Sequence, residues 1–354
     1  MNYDIAIIGL GPAGATAARL LDKKFKILAI DKKSDAEDSF RKPCGGLLAT
    51  DAQKALSKFN LTLPKEILAD PQIFAVKTID SKQNLLRYYQ RFYINLDRYK
   101  FDQWLVSLIP EHVEKADGAR CMDIKRVEDG YDITYHRNKV ERTITARHII
   151  GADGAGSLVR KTLFPERKIA QYISIQEWFA EEHQTPFYSC IFDSDITDSY
   201  CWSISKDGFF ILGGAFPTHV SKQRFDLLKE KLKQQGFALG NAVKREACLV
   251  SMPRGLRDFC VGKDNAFLIG EAAGFISPSS LEGISYAFNS AHKLADVFNS
   301  GDAHRVWKIN LKLMPMKIKL LLKYLKSPFM YRPLLRKLIM KTGLNSIDVA
   351  GERK

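Results

Sequence analysis

The residues best equipped for chemistry lie near the start of the chain. Gly9-Leu10-Gly11-Pro12-Ala13-Gly14 follows an apolar run at 5–8 and leads into a small-residue segment at 15–21; a second apolar run, 26–30, ends on Asp31. Glycine at 9 permits a tight turn, glycine at 11 leaves room for a pyrophosphate against the backbone, and glycine at 14 lets a helix lie close on a strand. The N-terminus of the helix read at 15–21 offers amide donors and the positive end of its dipole to phosphates. Asp31, 22 residues after Gly9, can accept hydrogen bonds from a ribose diol and would repel a 2′-phosphate; Lys32 directly follows it. The order strand, glycine turn, helix, strand, acid is that of a dinucleotide site in a βαβ unit, open at this point to a nicotinamide or a flavin dinucleotide.

Two later segments must be carried to that loop by the fold. Ile149-Ile150-Gly151-Ala152-Asp153-Gly154-Ala155-Gly156-Ser157-Leu158-Val159-Arg160 looks like the Asp-Gly fingerprint of flavin hydroxylases and their relatives. Ala266-Phe267-Leu268-Ile269-Gly270-Glu271-Ala272-Ala273-Gly274 looks like their third fingerprint, a strand ending on an acid that bonds the ribityl chain, then a helix N-terminus facing the flavin. With Arg41-Lys42-Pro43-Cys44-Gly45-Gly46-Leu47, and Pro278 followed by Glu282-Gly283-Ile284, the chain resembles the geranylgeranyl reductase family within the superfamily of FAD-dependent hydroxylases. The resemblance covers about residues 1–300 and is strongest at the cofactor motifs.

That resemblance implies FAD as cofactor. Its contacts would come from Gly9, Gly11, Pro12, Ala13, Gly14, Asp31, Lys32, Lys42, Cys44, Gly45, Asp153, Gly270, Glu271, Gly274, Gly283 and Ile284. Arg98 matches an arginine that such flavoproteins keep near the cofactor, and Cys44 is the candidate catalytic residue, beside the flavin ring or substrate. The chain departs from the family at Glu271, where Asp is usual; the longer side chain keeps the ribityl contact only if backbone or sugar shifts.

The implied fold is α/β: a Rossmann-like βαβ FAD domain assembled from residues 1–70, 96–165 and 258–300, a mostly antiparallel β substrate domain from 71–95 and 166–257, and C-terminal helices at 301–354. Lys206-Asp207-Gly208 reads as a hairpin turn between two apolar runs. Aromatic residues around it, Trp178, Tyr188, Tyr200, Trp202, Phe209, Phe210 and Phe216, can wall an apolar substrate cavity or form sheet core. Tyr200 and Trp202 sit where the reductases carry Tyr-x-Trp-x-Phe-Pro against a lipid. Phe-Pro is missing here, and the Trp-x-Trp-x-Ile-Pro of flavin halogenases is met only by Trp202 and Ile204.

The expected activity is reduction of a carbon–carbon double bond in an apolar or isoprenoid substrate by hydride from reduced flavin. A monooxygenase acting on an aromatic or lipid substrate shares the same motifs, and a non-catalytic flavin protein of the membrane surface is the reading from another class. No second glycine-rich βαβ unit is evident, so electrons are expected from transiently bound NAD(P)H or from a redox protein.

Net charge is +14, yet eleven lysines and arginines and no acids fall between 303 and 347, leaving the rest near balance. The basic character is thus local, and nucleic acid is not an expected partner. Arg305, Lys308, Lys312, Lys319, Lys323 and Lys326 keep to one helical face. Val306, Ile309, Leu313, Met316, Leu320 and Tyr324 form a neighbouring apolar stripe, widened by Trp307, Leu311, Met314, Ile318, Leu321 and Leu325. Such a helix, bent at Pro315 and ended at Ser327-Pro328, can lie on an anionic membrane surface or pack on the flavin domain. The six cysteines lack metal-site spacing, no metal is expected, and no leader or 18-residue apolar run is evident. The expected location is cytoplasmic, at the inner face of the membrane if the basic tail binds lipid.

Overall fold

The computed structural model describes residues 2–34, 41–180, 187–234, 237 and 239–350. Its contacts divide the chain into two compact units. The first comprises Met1–Arg41, Tyr99–Ala170 and Ser251–Tyr324, and the second Lys42–Arg98, Gln171–Val250 and Leu325–Lys354. Residues 42–70, which the sequence groups with the dinucleotide domain, belong to the second unit, and the basic tail is shared between the two at 324/325. Tail residues follow the unit against which their side chains pack, a distinction that charge and periodicity do not encode.

The first unit is built on a parallel sheet. β1 (Tyr3–Ile8) lies between β2 (Ile27–Asp31) and the long strand Val140–Gly151; Val113–Asp117 extends the sheet beyond β2, and Ala266–Leu268 beyond the long strand. β2 is buried at every position, the pattern of a strand covered on both faces. The long strand serves two ladders. Val140 to Ala146 pair antiparallel with Gly130–Arg137, and from Ala146 onward the strand runs parallel to β1. Two helices cover the glycine loop side, α1 (Pro12–Leu20) and the largely buried helix Ile284–Asn299.

The second unit holds a seven-stranded sheet in the order Ala242–Ser251, Gln171–Ala180, Phe209–Pro217, Cys201–Lys206, Phe187–Phe192, Ala75–Asp80, Leu85–Gln90. The expected hairpin is present: Lys206 pairs with Phe209 across Asp207 and Gly208, whose φ values of 49° and 80° make the two-residue turn that matches strand twist. One face packs on the helix Ser221–Gln234 through Phe225, Leu228 and Leu232, which meet Ile175, Cys201, Leu212 and Phe216.

Candidate FAD site

The three separated fingerprints converge in the first unit by direct backbone packing. Gly9 has φ +96°, and a Cβ there would stand 2.7 Å from the Ala152 carbonyl oxygen, so the first fingerprint touches the second with no side chain between them. Gly14 is tighter still, with its Cβ position 1.8 Å from the Gly9 carbonyl oxygen. Gly270, at φ +56°, comes against the first helix, its Cβ position 2.8 Å from Ala13 Cβ. Backbone hydrogen bonds continue the arrangement, from Gly9 N to Ile30 O (2.8 Å), Ala152 N to Ile8 O (2.8 Å) and Ile269 N to Gly151 O (3.0 Å).

Gly11 is different. Its φ of −70° suits any residue, and no atom of the described residues beyond its chain neighbours lies within 4 Å of its Cβ position, so none of them requires glycine there. A ligand pressed against the backbone would require it. The helix start at Gly11 carries no side-chain cap, with Pro12 at a position where its missing N–H is no loss. The Oδ1 atom of Asp153 is buried without a hydrogen-bond partner among the described residues, while Oδ2 accepts from Leu158 N (2.7 Å) and Val159 N (3.3 Å); burial pushes this carboxyl group upward. These residues fit a dinucleotide: open space over Gly11, an uncapped helix start and an acid with unused hydrogen-bonding capacity.

The acidic residues also have structural duties that the sequence did not reveal. Asp31, 5% exposed, closes the glycine loop by accepting from Leu10 N at 2.6 Å and from Lys33 N at 2.9 Å. Each oxygen has a second lone pair, so the carboxylate keeps acceptor capacity for a diol. Partial desolvation lowers the pKa of Lys32, exposed though the residue is, despite the counteracting charge of Asp31. Glu271 uses its length to accept from Ser251 N at 2.9 Å through Oε1. Gly274, at φ +87°, ends the short helix Gly270–Ala273, and Gly283 precedes Ile284 as the start of Ile284–Asn299, whose first turn is held by Glu282 bonding Ser285 N (2.7 Å).

Three residues with structural roles here were missed by the sequence reading. Arg160, 5% exposed, donates to the carbonyls of Ala272 (3.0 Å), Asp258 (2.7 Å) and Arg167 (2.7 Å), tying the second fingerprint to the third. Ser290 accepts from Gly270 N at 2.9 Å. Lys33 bridges Asp31 and Asp102, at 3.7 and 3.1 Å. A buried arginine bonded only to carbonyls leaves no signature in composition or spacing, because its partners are backbone atoms.

The remaining candidates belong to the second unit. Cys44 is half-buried and its sulfur accepts from Gly46 N at 3.4 Å. The segment is clamped from below by Lys206, 3% exposed, whose Nζ donates to Gly45 O (2.8 Å) and Leu96 O (2.6 Å). Burial pulls the Lys206 ammonium down to about 8, opposed by the charges of Cys44, Asp97 and Asp207. Gly46 is glycine because both the ammonium and the Leu96 carbonyl lie 2.2 Å from its Cβ position, and its φ is +68°. Lys42 is half-buried, and Arg98 opens the helix Arg98–Ser107. Tyr200 and Trp202, each 7% exposed, meet with ring centroids 5.7 Å apart and planes tilted by 55°, and Gly213 in the neighbouring strand makes room for the indole. Burial drives the phenols of Tyr188 and Tyr200 well above their ordinary range.

Known proteins agree with the geometry. The sequence profile of the FAD binding domain family matches residues 121–223. The solved structure of a geranylgeranyl bacteriochlorophyll reductase-like protein from Thermoplasma acidophilum superposes with a TM-score of 0.80 at 18% identity, over 95% of this chain and 90% of that one. A probable FAD-dependent monooxygenase, PqsL of Pseudomonas aeruginosa, gives 0.69 at 16% identity, over 97% and 99%. Both likenesses establish the fold. Protein CbrA of Shigella flexneri is 51% identical over 352 residues, covering 98% of this chain and 95% of that relative. With a cofactor cradle assembled from all three fingerprints and half its residues shared along almost its whole length, this FAD-dependent flavoprotein belongs to the CbrA family.

Proposed function

We propose that the protein is a reductase that saturates a carbon–carbon double bond in an apolar, isoprenoid-like substrate. The observation that carries this reading is the aromatic group on the large sheet of the second unit. Tyr188, Tyr200 and Trp202 are buried together, and the nearby lysine of the same strand, Lys206, turns its charge onto two carbonyls. Buried aromatic surface of this kind suits an apolar substrate.

When bound and reduced, FAD would supply the hydride for such a reduction, with the balancing proton drawn from solvent. The chain contributes position. Gly11 and the uncapped start of α1 receive the pyrophosphate, Asp31 bonds the adenosine ribose, and Asp153 and Glu271 offer acceptors toward the remainder of the dinucleotide. In this reading Lys42, Cys44, Gly45 and Arg98 contact the flavin, and Cys44 borders the reacting atoms. Electrons arrive from NAD(P)H bound transiently or from a redox protein.

The test is a single turnover. The bound flavin is reduced in the absence of air, an isoprenoid alcohol is added, and the mass of the product is measured. Flavin reoxidation with a substrate heavier by two hydrogens supports the reductase. Reoxidation only after air is admitted, with a product heavier by one oxygen, assigns the monooxygenase instead.

A further inference from the structure

The helix Arg305–Lys326 carries two apolar stripes, and the fold uses one of them. Ile309, Leu313 and Leu320 are buried to 1% exposure or less. Trp307, Leu311, Met314, Ile318, Leu322 and Leu325 follow one another at steps of four, three, four, four and three, which keeps them on one face about five turns long. Every one is exposed, from 41% at Met314 to 63% at Trp307. Isolated exposed leucines are ordinary; an unbroken stripe of six large side chains marks a surface that is covered in use.

Charge identifies the cover. Lys308, Lys312, Lys319 and Lys326 run along one edge of the stripe, and residues 303–347 contain no acid. Lys308 pairs with Asp302, and Lys312 with Asp296 at 3.4 Å, both acids lying before the helix. A second copy of this helix would bring no negative charge to the lysine edge, whereas an anionic headgroup layer would. No helix among the described residues is long and apolar enough to cross a membrane. We propose that the outward stripe docks the protein on an anionic lipid surface. The helix lies in the membrane plane, its apolar stripe at the acyl boundary and its lysine edge among the headgroups. The stripe that the sequence put first, through Ile309, Leu313 and Leu320, is the one that faces inward. This inference is independent of the reaction the flavin performs.

The experiment uses the full FAD-loaded protein, sedimented with vesicles of phosphatidylcholine alone or with about one-third phosphatidylserine. Binding is expected to the anionic vesicles, weakening as added salt shortens the reach of the charges, with a blue shift in Trp307 emission. Replacing Ile318 and Leu322 together by Glu should lower binding more than tenfold while flavin absorbance and melting curve stay unchanged, since both side chains are exposed. Lys319→Gln and Lys326→Gln should each cost about fivefold. Equal, negligible sedimentation with both vesicle types at low salt overturns the proposal, as does binding that the double Glu variant leaves intact. A lipid-free dimer abolished by the same double variant would assign the stripe to a second copy and overturn it too.

Discussion

Replacing Gly11 with alanine adds one methyl group where the described residues, chain neighbours aside, place no atom within 4 Å, so its effect separates ligand from fold. The backbone there, at φ −70° and ψ −173°, is accessible to alanine. Loss of glycine at a helix cap costs about 1 kcal/mol, and the smaller entropy of the unfolded chain returns roughly 0.4–1 kcal/mol. The FAD-free protein should therefore change in stability by less than about 1 kcal/mol. Binding should respond far more, because the methyl group occupies the space through which a pyrophosphate reaches the amides. A loss of at least about a hundredfold in FAD affinity, some 2.7 kcal/mol, is expected. Gly14→Ala supplies the contrast. Its Cβ would stand 1.8 Å from the Gly9 carbonyl oxygen, so α1 must shift by about 1 Å, and the FAD-free protein itself should lose about 3 kcal/mol or more. Urea unfolding of the FAD-free proteins and titration with FAD, followed by flavin fluorescence, measure the two quantities separately. Unaltered FAD affinity in Gly11→Ala would refute the placement of the pyrophosphate, and a large loss of FAD-free stability would refute the account of the open space.

Three other outcomes follow from the same reasoning. His148, 5% exposed and packed on Phe267 and Phe298, is held neutral down to about pH 4, first by burial and then by Arg305 and Arg147. Below about pH 6.5 the unfolded chain takes up a proton that the folded chain refuses, so stability should fall as pH drops from 6.5 toward 4, by up to about 3 kcal/mol. In His148→Phe the drop in urea-unfolding stability between pH 7 and 5 should shrink; an unchanged drop would show that other groups cause it. Lys206→Met removes the clamp on Gly45 and Leu96, and peptide mapping of maleimide-treated protein should find Cys44 labelled several-fold faster than in the wild type; equal labelling would mean the segment is held by other contacts. Cys44→Ser should keep FAD, yet change the rate at which substrate reoxidises the reduced flavin; an unchanged rate demotes Cys44 to a packing residue.

The backbone turns of the three fingerprints were legible because their signals are local. Glycine spacing, an apolar run and a following acid are properties of a few consecutive residues, so Gly9 to Asp31 could be read directly, while the Asp153 turn and Gly270 to Gly274 were read through their resemblance to flavoprotein fingerprints. The Asp207-Gly208 turn was readable for the same reason, since backbone chemistry selects those residues. Two matters lay beyond reach. One was partnership across long stretches of sequence: Arg160 with Ala272 and Asp258, Lys206 with Gly45 and Leu96, Glu271 with Ser251, each a contact to a backbone atom whose position depends on the whole chain. The other was the choice between two apolar stripes on Arg305–Lys326. Periodicity marks both equally, and only packing, which buries Ile309, Leu313 and Leu320 and leaves Trp307 to Leu325 in solvent, decides which face the protein keeps for itself.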